Sequence, residues 1–438
     1  MYIHVPFCVS RCLYCDFNTY VGMERHAEAY FASLEKEIAL FWENAKTRRK
    51  DADTAFTGDG AGSERKDVAA AFTGDGTESG RKYADTAFIG GGTPSSVDPQ
   101  YIARLLGMIS HDRWECTIEA NPGSLNRDKL NAYAAAGINR LSIGLQSTHE
   151  SHLKMLGRIH SFEDFLKNYR EAINAGFVNI NADLLFGLPG QTMGEWRRTL
   201  EAVVALGLPH LSCYSLSVEE GTPLHAALMN GELPRPDEDS DRDMYHFAVD
   251  YLRSAGICQY ELSNFARPGY ECRHNLKYWT GERYRGFGAG AHSFDKHARY
   301  ANVNSIADYI KRFKNASTKE NAGAYEIGSS DNGNDNGNGN GYGGALADRE
   351  SDLAALNSYM PIDASEAEKE FIILRLRLTD GFRDSDFRAR FGYGFFEKYG
   401  AEACDLISDG LISADAGGGV KLTLKGMDLA NQVFIKFI

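Results

Sequence analysis

The chain opens with Tyr2-Ile3-His4-Val5-Pro6, a short apolar run that predicts a buried strand and leads directly into a cysteine-rich loop. Five more apolar runs follow in the first half of the chain, at Thr86–Ile89, Cys116–Glu119, Arg140–Gly144, Asn179–Phe186 and His210–Leu216. Between them lie stretches with helical periodicity, at Glu24–Phe41, Tyr101–Ser110, Arg127–Ala136, Phe162–Ala175 and Met193–Leu206. Strand and helix thus alternate about six times, which predicts a parallel sheet joined by right-handed crossovers.

Six strand–helix units are too few for a closed eight-fold barrel, so we predict an α/β fold with an open, partial (β/α)6 barrel over residues 1–235. Gly137, Gly176 and Gly207 follow three of the helical stretches, as expected of glycine in a left-handed C-terminal cap. In folds of this kind, ligands bind at the carboxyl ends of the strands, where the unusual residues of this sequence also cluster. We therefore expect the functional site at that end of the barrel.

Two stretches interrupt the alternation. Residues 46–83 contain a 16-residue repeat, which predicts an exposed insertion made by tandem duplication. Residues 319–350 are rich in Asn and Gly and predict a flexible linker. Between these stretches and beyond them, we predict a barrel-completing segment over 236–318 and a C-terminal winged-helix-like domain over 351–438, made of three helices, a hairpin and a last helix.

The composition is that of an ordinary globular protein, with 438 residues, 43% hydrophobic and 24% charged residues. The net charge of −13 argues against a nucleic-acid-binding protein, which usually presents a basic surface. No apolar run approaches the roughly 20 residues of a membrane span, and no signal peptide is visible. The sequence predicts a cytoplasmic protein without an integral membrane segment.

Three of the eight cysteines, Cys8, Cys12 and Cys15, lie within eight positions directly after the first predicted strand. Three thiolates so close in sequence favour one soft metal centre, such as an iron–sulfur cluster. A cluster with three protein ligands leaves one iron open to a small chelating cofactor. The alternative is a zinc site that uses these cysteines with His4. The remaining cysteines are scattered, and we interpret them as small buried hydrophobic residues.

The Cys8-x3-Cys12-x2-Cys15 loop resembles the radical S-adenosylmethionine (SAM) superfamily, and the wider string from Tyr2 to Phe17 is similar to its oxygen-independent coproporphyrinogen III oxidase-like family. The resemblance implies a [4Fe–4S] cluster on the three cysteines, with SAM chelating the open iron. It also implies that reductive cleavage of SAM gives methionine and a 5′-deoxyadenosyl radical. Family positions that contact SAM match, in chain order, Tyr2, Tyr14, Gly91, Gly92, Thr93, Glu119, Gln146, Arg158 and Asp183.

The segment from His274 to Trp279 resembles the H-N-x-x-Y-W motif of the heme chaperone branch of that family. In the decarboxylating branch an additional cysteine stands where this chain has Phe17, and an N-terminal extension precedes the first strand. The resemblance therefore implies a protein that binds heme and passes it to client hemoproteins, with membrane association only through clients. The alternatives are an oxygen-independent coproporphyrinogen III dehydrogenase, a radical SAM enzyme acting on RNA or another substrate, and a binding module without catalysis; enzymatic activity is left open.

Heme retention needs an axial donor and an aromatic, apolar surface. His274 offers an imidazole, with Tyr278 and Trp279 placed to flank a porphyrin, and Cys272 offers a thiolate nearby. The alternative for His274 is a structural histidine whose hydrogen bonds order this segment. The sequence leaves both open.

Overall fold

The computed structural model describes residues 1–55, 83–315 and 354–438. The predicted linker and residues 56–82 of the predicted insertion lie outside the described residues. The strands are β1 (Tyr2–Val5), β2 (Phe7–Cys8), β3 (Tyr20–Val21), β4 (Tyr83–Gly91), β5 (Ser110–Ala120), β6 (Arg140–Gln146), β7 (Asn179–Phe186), β8 (His210–Ser215), β9 (Cys258–Gln259), β10 (Asn264–Ala266), β11 (Gly286–Phe287), β12 (His292–Phe294), β13 (Ala298–Asn302), β14 (Leu356–Pro361), β15 (Phe382–Arg383), β16 (Ile412–Ala414) and β17 (Gly419–Leu422).

The helices lie mostly between these strands. They are α1 (Ala27–Ala55), α2 (Pro99–Gly107), α3 (Arg127–Ala135), α4 (Glu150–Met155), α5 (Phe162–Asn174), α6 (Met193–Ala205), α7 (Pro223–Met229), α8 (Glu238–Ser254), α9 (Arg273–Trp279), α10 (Ile306–Asn315), α11 (Ala364–Leu376), α12 (Asp384–Phe391), α13 (Phe395–Ser408), α14 (Leu424–Asp428) and α15 (Ala430–Ile435). The described part of the chain contains no helix that is both long and apolar enough to cross a bilayer.

The central sheet confirms the predicted partial barrel. Six strands, β1, β4, β5, β6, β7 and β8, stand side by side in chain order, and each pairs in parallel with the next. Helices join them as crossovers, so the carboxyl ends of all six strands reach the same rim. Five of the six predicted strands and four of the five predicted helices match the observed elements to within a few residues.

The segment after the sixth strand extends both edges of this sheet. Strand β11 pairs in parallel with β1, whereas β10 pairs antiparallel with β8 and carries β9 outside it. Strands β11 and β9 are the two ends of the strand order, so within the described residues the sheet stays open.

Alternation along β1 separates the core from the lumen of the barrel. Ile3 and Val5 are fully buried among apolar residues of α1, whereas Tyr2 and His4 project from the opposite face. The same face of the later strands carries polar residues at positions such as Glu119 and Asp183. Helices therefore cover an apolar outer face, and polar groups line the inside.

Helix ends follow the local signals in the sequence. Gly137, Gly176 and Gly207 adopt φ values of 94°, 91° and 77°, which confirms the predicted left-handed caps. Helix α1 departs from the prediction, because it continues past Phe41 to Ala55. Residues 42–55 contain neither glycine nor proline and are rich in good helix formers, so nothing stops the helix within the first part of the predicted insertion.

The C-terminal domain has its own hydrophobic core and a three-stranded sheet in the order β15–β17–β16, with α11 to α15 around it. This arrangement of three helices, a hairpin and final helices confirms the predicted winged-helix-like shape. The domain begins later than residue 351, because β14 pairs with β13 beside the barrel. Asp428 of α14 accepts hydrogen bonds from His246 of α8 and so joins the two parts of the molecule.

Candidate functional site

The cysteine loop lies between β2 and β3, at the carboxyl end of the first barrel strand. Its backbone is held from two sides, since Leu13 N donates to Leu156 O at 3.0 Å and Leu224 N donates to Leu13 O at 2.9 Å. Cys8 is buried, while Cys12 and Cys15 are partly exposed. Cys15 N donates to Cys12 O at 3.2 Å, and burial raises the pKa of the Cys8 thiol.

The donor set fits a cluster better than a single zinc ion. His4, the fourth ligand of the zinc alternative, uses both ring nitrogens: Nδ1 lies 2.9 Å from the Tyr2 hydroxyl and Nε2 lies 3.0 Å from Asn18 O. In the described ranges, no three His, Cys, Asp or Glu side chains converge as ligands of one metal ion. A [4Fe–4S] cluster does not require that convergence, because each thiolate binds a different iron atom.

Side chains from the neighbouring strand ends reach two of the three thiols. Thr93, directly after β4, places Oγ1 3.5 Å from Cys8 Sγ, and Arg158, after α4, donates from Nη1 to Cys12 Sγ at 3.2 Å. Asn121, directly after β5, connects them. Its Nδ2 donates to Thr93 Oγ1 at 2.9 Å, and its Oδ1 accepts a short hydrogen bond from Arg158 Nη2.

The close approach of Arg158 depends on a missing side chain. Arg158 Nη2 also donates to Gly144 O at 2.7 Å. A Cβ at Gly144 would stand 3.0 Å from Asn121 Oδ1 and 3.2 Å from Arg158 Nη2, which is closer than side chains normally pack. Gln146, two residues on, adopts φ 70° at a bulge in β6, a strained conformation of the kind that accumulates at functional sites.

Two of the predicted acidic residues lie close together in the lumen. Burial raises the pKa of Glu119 to about 7, and the neighbouring Asp183 adds to this shift. Burial likewise raises the pKa of Asp183, although its carboxylate accepts hydrogen bonds from Asn181 Nδ2 at 2.8 Å and Ser142 Oγ at 3.3 Å. The pair forms an acidic surface that a cationic ligand would stabilise.

The glycine-rich stretch after β4 has its amide donors already in use. Gly91 N donates to Glu119 Oε2 at 3.0 Å, Gly92 N to Val5 O at 2.8 Å, and Thr93 N to Phe7 O at 2.8 Å. A ligand that hydrogen-bonds to this stretch of backbone therefore has to be a donor, as an ammonium group is.

The two predicted tyrosines border the same region. Burial raises the pKa of Tyr2, whose hydroxyl contacts His4, and Glu119 is the next contributor. Burial also raises the pKa of Tyr14, where Arg158 acts in the opposite direction and Asp183 in the same one. Of the predicted SAM-contacting residues, Gly91, Gly92, Thr93, Glu119 and Gln146 lie at or directly after the carboxyl ends of β4, β5 and β6. Tyr14 and Arg158 lie in the loops after β2 and α4, whereas Tyr2 begins β1 and Asp183 lies in the middle of β7.

His274 lies deeper in the lumen, away from the rim. Its side chain is 1% exposed, Nδ1 lies 2.9 Å from Thr86 Oγ1, and Nε2 lies 3.0 Å from the Tyr278 hydroxyl. The ring also stacks on Phe88, and burial holds its pKa well below the ordinary value, so the imidazole is neutral. With both nitrogens bonded, this geometry favours the structural alternative for His274 over the heme-ligand role.

A buried carboxylate holds the start of the same motif. Glu115 of β5 accepts hydrogen bonds from the backbone N of Arg273 at 3.1 Å and of His274 at 3.0 Å, at the amino end of α9. The Cys272 thiol donates to Glu115 at 3.5 Å and is fully buried, with a pKa that burial raises to about 11. Cys272 is therefore a neutral thiol in this structure.

Sequence reasoning missed Asn121 and Glu115. Asn121 stands in a strand-end Asn-Pro pair, which marks a turn, but nothing local to it indicates contacts with Thr93 and Arg158. Glu115 lies in a strand whose apolar run was predicted to begin at the next residue, and its partners are more than 150 positions away.

Comparison with known families matches both parts of the chain. The Radical SAM superfamily model matches residues 77–203, and the HemN C-terminal domain model matches residues 362–429. The heme chaperone HemW of Bacillus subtilis is 32% identical over 448 aligned residues, which cover 100% of this chain and 98% of the relative. The heme chaperone HemW of Escherichia coli is 36% identical over 305 residues, covering 67% of this chain and 69% of the relative.

Among solved structures, coproporphyrinogen III oxidase (HemN) from Escherichia coli, described as a radical SAM enzyme, superimposes with a TM-score of 0.72. It is 21% identical and the match covers 100% of this chain and 89% of that chain, which establishes a common fold. The full-length relative at 32% identity and the two family models also establish the family of the chain. The chain therefore belongs to the HemW branch of the HemN-like radical SAM proteins.

Proposed function

We propose that this protein is a heme chaperone that holds a [4Fe–4S] cluster and SAM, binds heme and transfers it to client hemoproteins. The observation that carries the cofactor part is the hydrogen-bonded connection between the cysteine loop and the strand ends. The heme part rests on the names of the relatives, several of which are heme chaperones.

Cys8, Cys12 and Cys15 would hold the cluster, since they are free thiols at one rim of the barrel and two of them lie within hydrogen-bonding distance of other side chains. Such contacts stabilise thiolate charge and orient the ligands. When bound, the cluster supplies a one-electron reductant beside SAM.

The charges around this rim suit the two ends of SAM. Glu119 and Asp183 form an acidic surface for the cationic parts of the molecule, and the backbone of the glycine-rich stretch accepts hydrogen bonds from an ammonium group. Arg158 is a cation at the same rim and suits a carboxylate. Tyr2, Tyr14 and Gln146 complete the proposed SAM site.

Heme and client hemoproteins are the proposed partners, and nucleic acid is not one of them, because the net charge is −13. We propose that the protein acts in the cytoplasm, in keeping with its eight free cysteines, and meets membranes only through clients. Tyr278 and Trp279 remain the proposed aromatic surface for the porphyrin. His274 remains a proposed ligand only if its bonds to Thr86 and Tyr278 break on binding.

The test is anaerobic reconstitution of the full chain with iron and sulfide, followed by parallel heme titration and a coproporphyrinogen III assay. We expect about four irons per chain, a Soret band that saturates with added heme, transfer of that heme to an apo-hemoprotein, and no decarboxylated product. Release of carbon dioxide from coproporphyrinogen III would contradict the chaperone proposal and support the dehydrogenase. Failure to bind heme would contradict both the heme and the client parts.

A further inference from the structure

Asn121 occupies an unusual position between two of the three cysteines of the loop. A continuous path of hydrogen bonds runs from Cys8 through Thr93, Asn121 and Arg158 to Cys12. The path joins residues from the first loop, the ends of β4 and β5, and the segment after α4. Asn121 is its central member and touches neither thiol itself.

The chemistry of the partners fixes how the amide of Asn121 is oriented. A guanidinium can only donate hydrogen bonds, so the atom facing Arg158 Nη2 has to be the carbonyl oxygen Oδ1. The amide nitrogen Nδ2 then faces Thr93 Oγ1, at 2.9 Å, and donates to it. The assignment does not depend on distinguishing nitrogen from oxygen, because the reversed amide would set two donors against each other.

This orientation determines what Thr93 offers to Cys8. One lone pair of Thr93 Oγ1 is used by Asn121 Nδ2, which leaves the hydroxyl hydrogen free to point at Cys8 Sγ, 3.5 Å away. On the other side, Asn121 Oδ1 and Gly144 O both hold Arg158 Nη2, so that Nη1 is directed at Cys12 Sγ. A thiolate at Cys8 can only accept a hydrogen bond, so with the cluster bound the Thr93 hydroxyl would donate to it. The Asn121 amide thus orients one donor toward each of two sulfurs.

The backbone of Asn121 is fixed by hydrogen bonds of its own. Its backbone N donates to Ser95 Oγ at 3.3 Å, and its backbone O accepts from Ser124 N at 3.1 Å. The two serine hydroxyls also contact each other at 2.6 Å. The residue is therefore part of a rigid turn between β5 and α3, rather than an adaptable surface side chain.

We propose that Asn121 is a positioning residue that sets the reduction potential of the cluster by orienting Thr93 and Arg158 toward the sulfurs of Cys8 and Cys12. Hydrogen bonds to cluster sulfurs withdraw negative charge and favour the reduced state. The inference rests on the proposed cluster at these cysteines. It adds a residue that binds neither iron nor sulfur directly.

The experiment compares reduction potentials of anaerobically reconstituted full-length proteins, followed by the electron paramagnetic resonance signal of the reduced cluster. Leucine is similar in size to asparagine, and Asn121→Leu removes the hydrogen bonds of the amide to both Thr93 and Arg158. Thr93→Val removes only the hydroxyl that contacts Cys8. Both potentials shift to more negative values than wild type, and Asn121→Leu shifts further. The Asn121→Leu shift is smaller in a Thr93→Val background, because the connection through Thr93 to Cys8 is then already lost.

Asn126→Asp is the matched control, and Asn121→Asp is the second variant. Asn126 caps α3 by accepting from Lys129 N, a role that aspartate also fills, so Asn126→Asp adds one negative charge on the same turn without touching the path. Asn121→Asp keeps the acceptor for Arg158 and loses the donor to Thr93. Asn121→Asp should shift the reduction potential more than Asn126→Asp does. This comparison tests the proposal if Asn121→Leu folds poorly.

The outcomes separate this inference from the proposed function. A wild-type protein that holds no cluster overturns both. A wild-type cluster whose potential and spectrum are unchanged in Asn121→Leu, or in Asn121→Asp relative to Asn126→Asp, overturns the positioning role alone. Additive shifts in the double variant overturn the action of Asn121 through Thr93.

Discussion

Nη1 of Arg158 lies 3.2 Å from Sγ of Cys12, so a guanidinium from beyond the fourth barrel strand donates a hydrogen bond to a thiol of the amino-terminal loop. The two residues are 146 positions apart. The second terminal nitrogen, Nη2, donates to Asn121 and Gly144. Arg158 therefore fixes the loop against the sheet and presents positive charge to whatever the loop binds.

Replacing Arg158 by Lys keeps the charge and removes the planar fork. Because a charged hydrogen bond of this kind contributes about 1.5–3 kcal/mol, we expect Arg158→Lys to weaken SAM binding by about tenfold to a hundredfold. Equilibrium dialysis of SAM against the reconstituted protein measures this. Arg170→Lys, at an exposed site on α5, should leave the affinity unchanged; equal affinities in all three proteins would contradict the role of Arg158.

Each loop cysteine should be needed for iron. We expect Cys8→Ser, Cys12→Ser and Cys15→Ser to retain well under half of the iron and sulfide of the wild type, because a cluster with three protein ligands tolerates the loss of one poorly. Iron and sulfide analysis after anaerobic reconstitution checks this. Cys258→Ser, at an exposed cysteine on β9, is the control; a loss of iron there as large as in the loop variants would refute the assignment.

The stability of the apo-protein should depend on pH through Glu119. Its pKa of about 7 lies above the ordinary 4.5, so ionising it opposes folding, and the stabilisation present at acidic pH is lost as the pH rises through 7. Glu119→Gln removes this loss. Relative to wild type, the variant should gain about 1–3 kcal/mol of unfolding free energy between pH 5 and pH 8.

Denaturant unfolding of the apo-protein at the two pH values measures the effect of Glu119→Gln. Glu201→Gln is the control, since Glu201 is an exposed residue on α6. The unfolding free energy of this variant should equal that of the wild type at both pH values. A difference between Glu119→Gln and wild type that is the same at pH 5 and pH 8 would show that ionisation of Glu119 plays no part.

His274→Ala should lower the stability more than it alters the heme spectrum. The variant loses bonds to Thr86 and Tyr278 and the stack on Phe88, which together stabilise the fold by about 2–4 kcal/mol. Thermal unfolding and a heme titration of the folded variant measure the two effects. His297→Ala, at an exposed site, is the control, and loss of the Soret band in folded His274→Ala alone would restore the ligand role.

The order of strands and helices was predictable because the signals that specify it are local. The run Asn179–Phe186 is a strand with the predicted bounds, and Gly176 ends the helix before it with a left-handed cap, as expected. Where local signals were absent, the prediction failed. Helix α1 continues past Phe41 because no glycine or proline follows, and β14 pairs with β13 although the two strands are far apart in the sequence.

The candidate site was only partly predictable. Cys8, Cys12 and Cys15 were predictable because three ligands share one loop, and Glu119 because it ends a predicted strand. Asp183 was identified through the family resemblance. The role of Asn121 was invisible, because its contacts lie 28 and 37 positions away. His274 shows the opposite case: a motif residue whose two nitrogens turn out to be bonded inside the protein.

The sequence by itself determined the six-unit barrel, the cysteine loop and the separate C-terminal domain, since periodicity, capping residues and ligand spacing act over a few residues. Only the tertiary structure decided which side chains meet. It showed that Asn121 links Thr93 to Arg158 at the rim, and that both ring nitrogens of His274 are hydrogen-bonded inside the protein. Such contacts depend on strand register and on the bulge at Gln146. The physical reason is that parallel strands bring distant segments to one edge, where distances of a few ångströms decide which groups can bond.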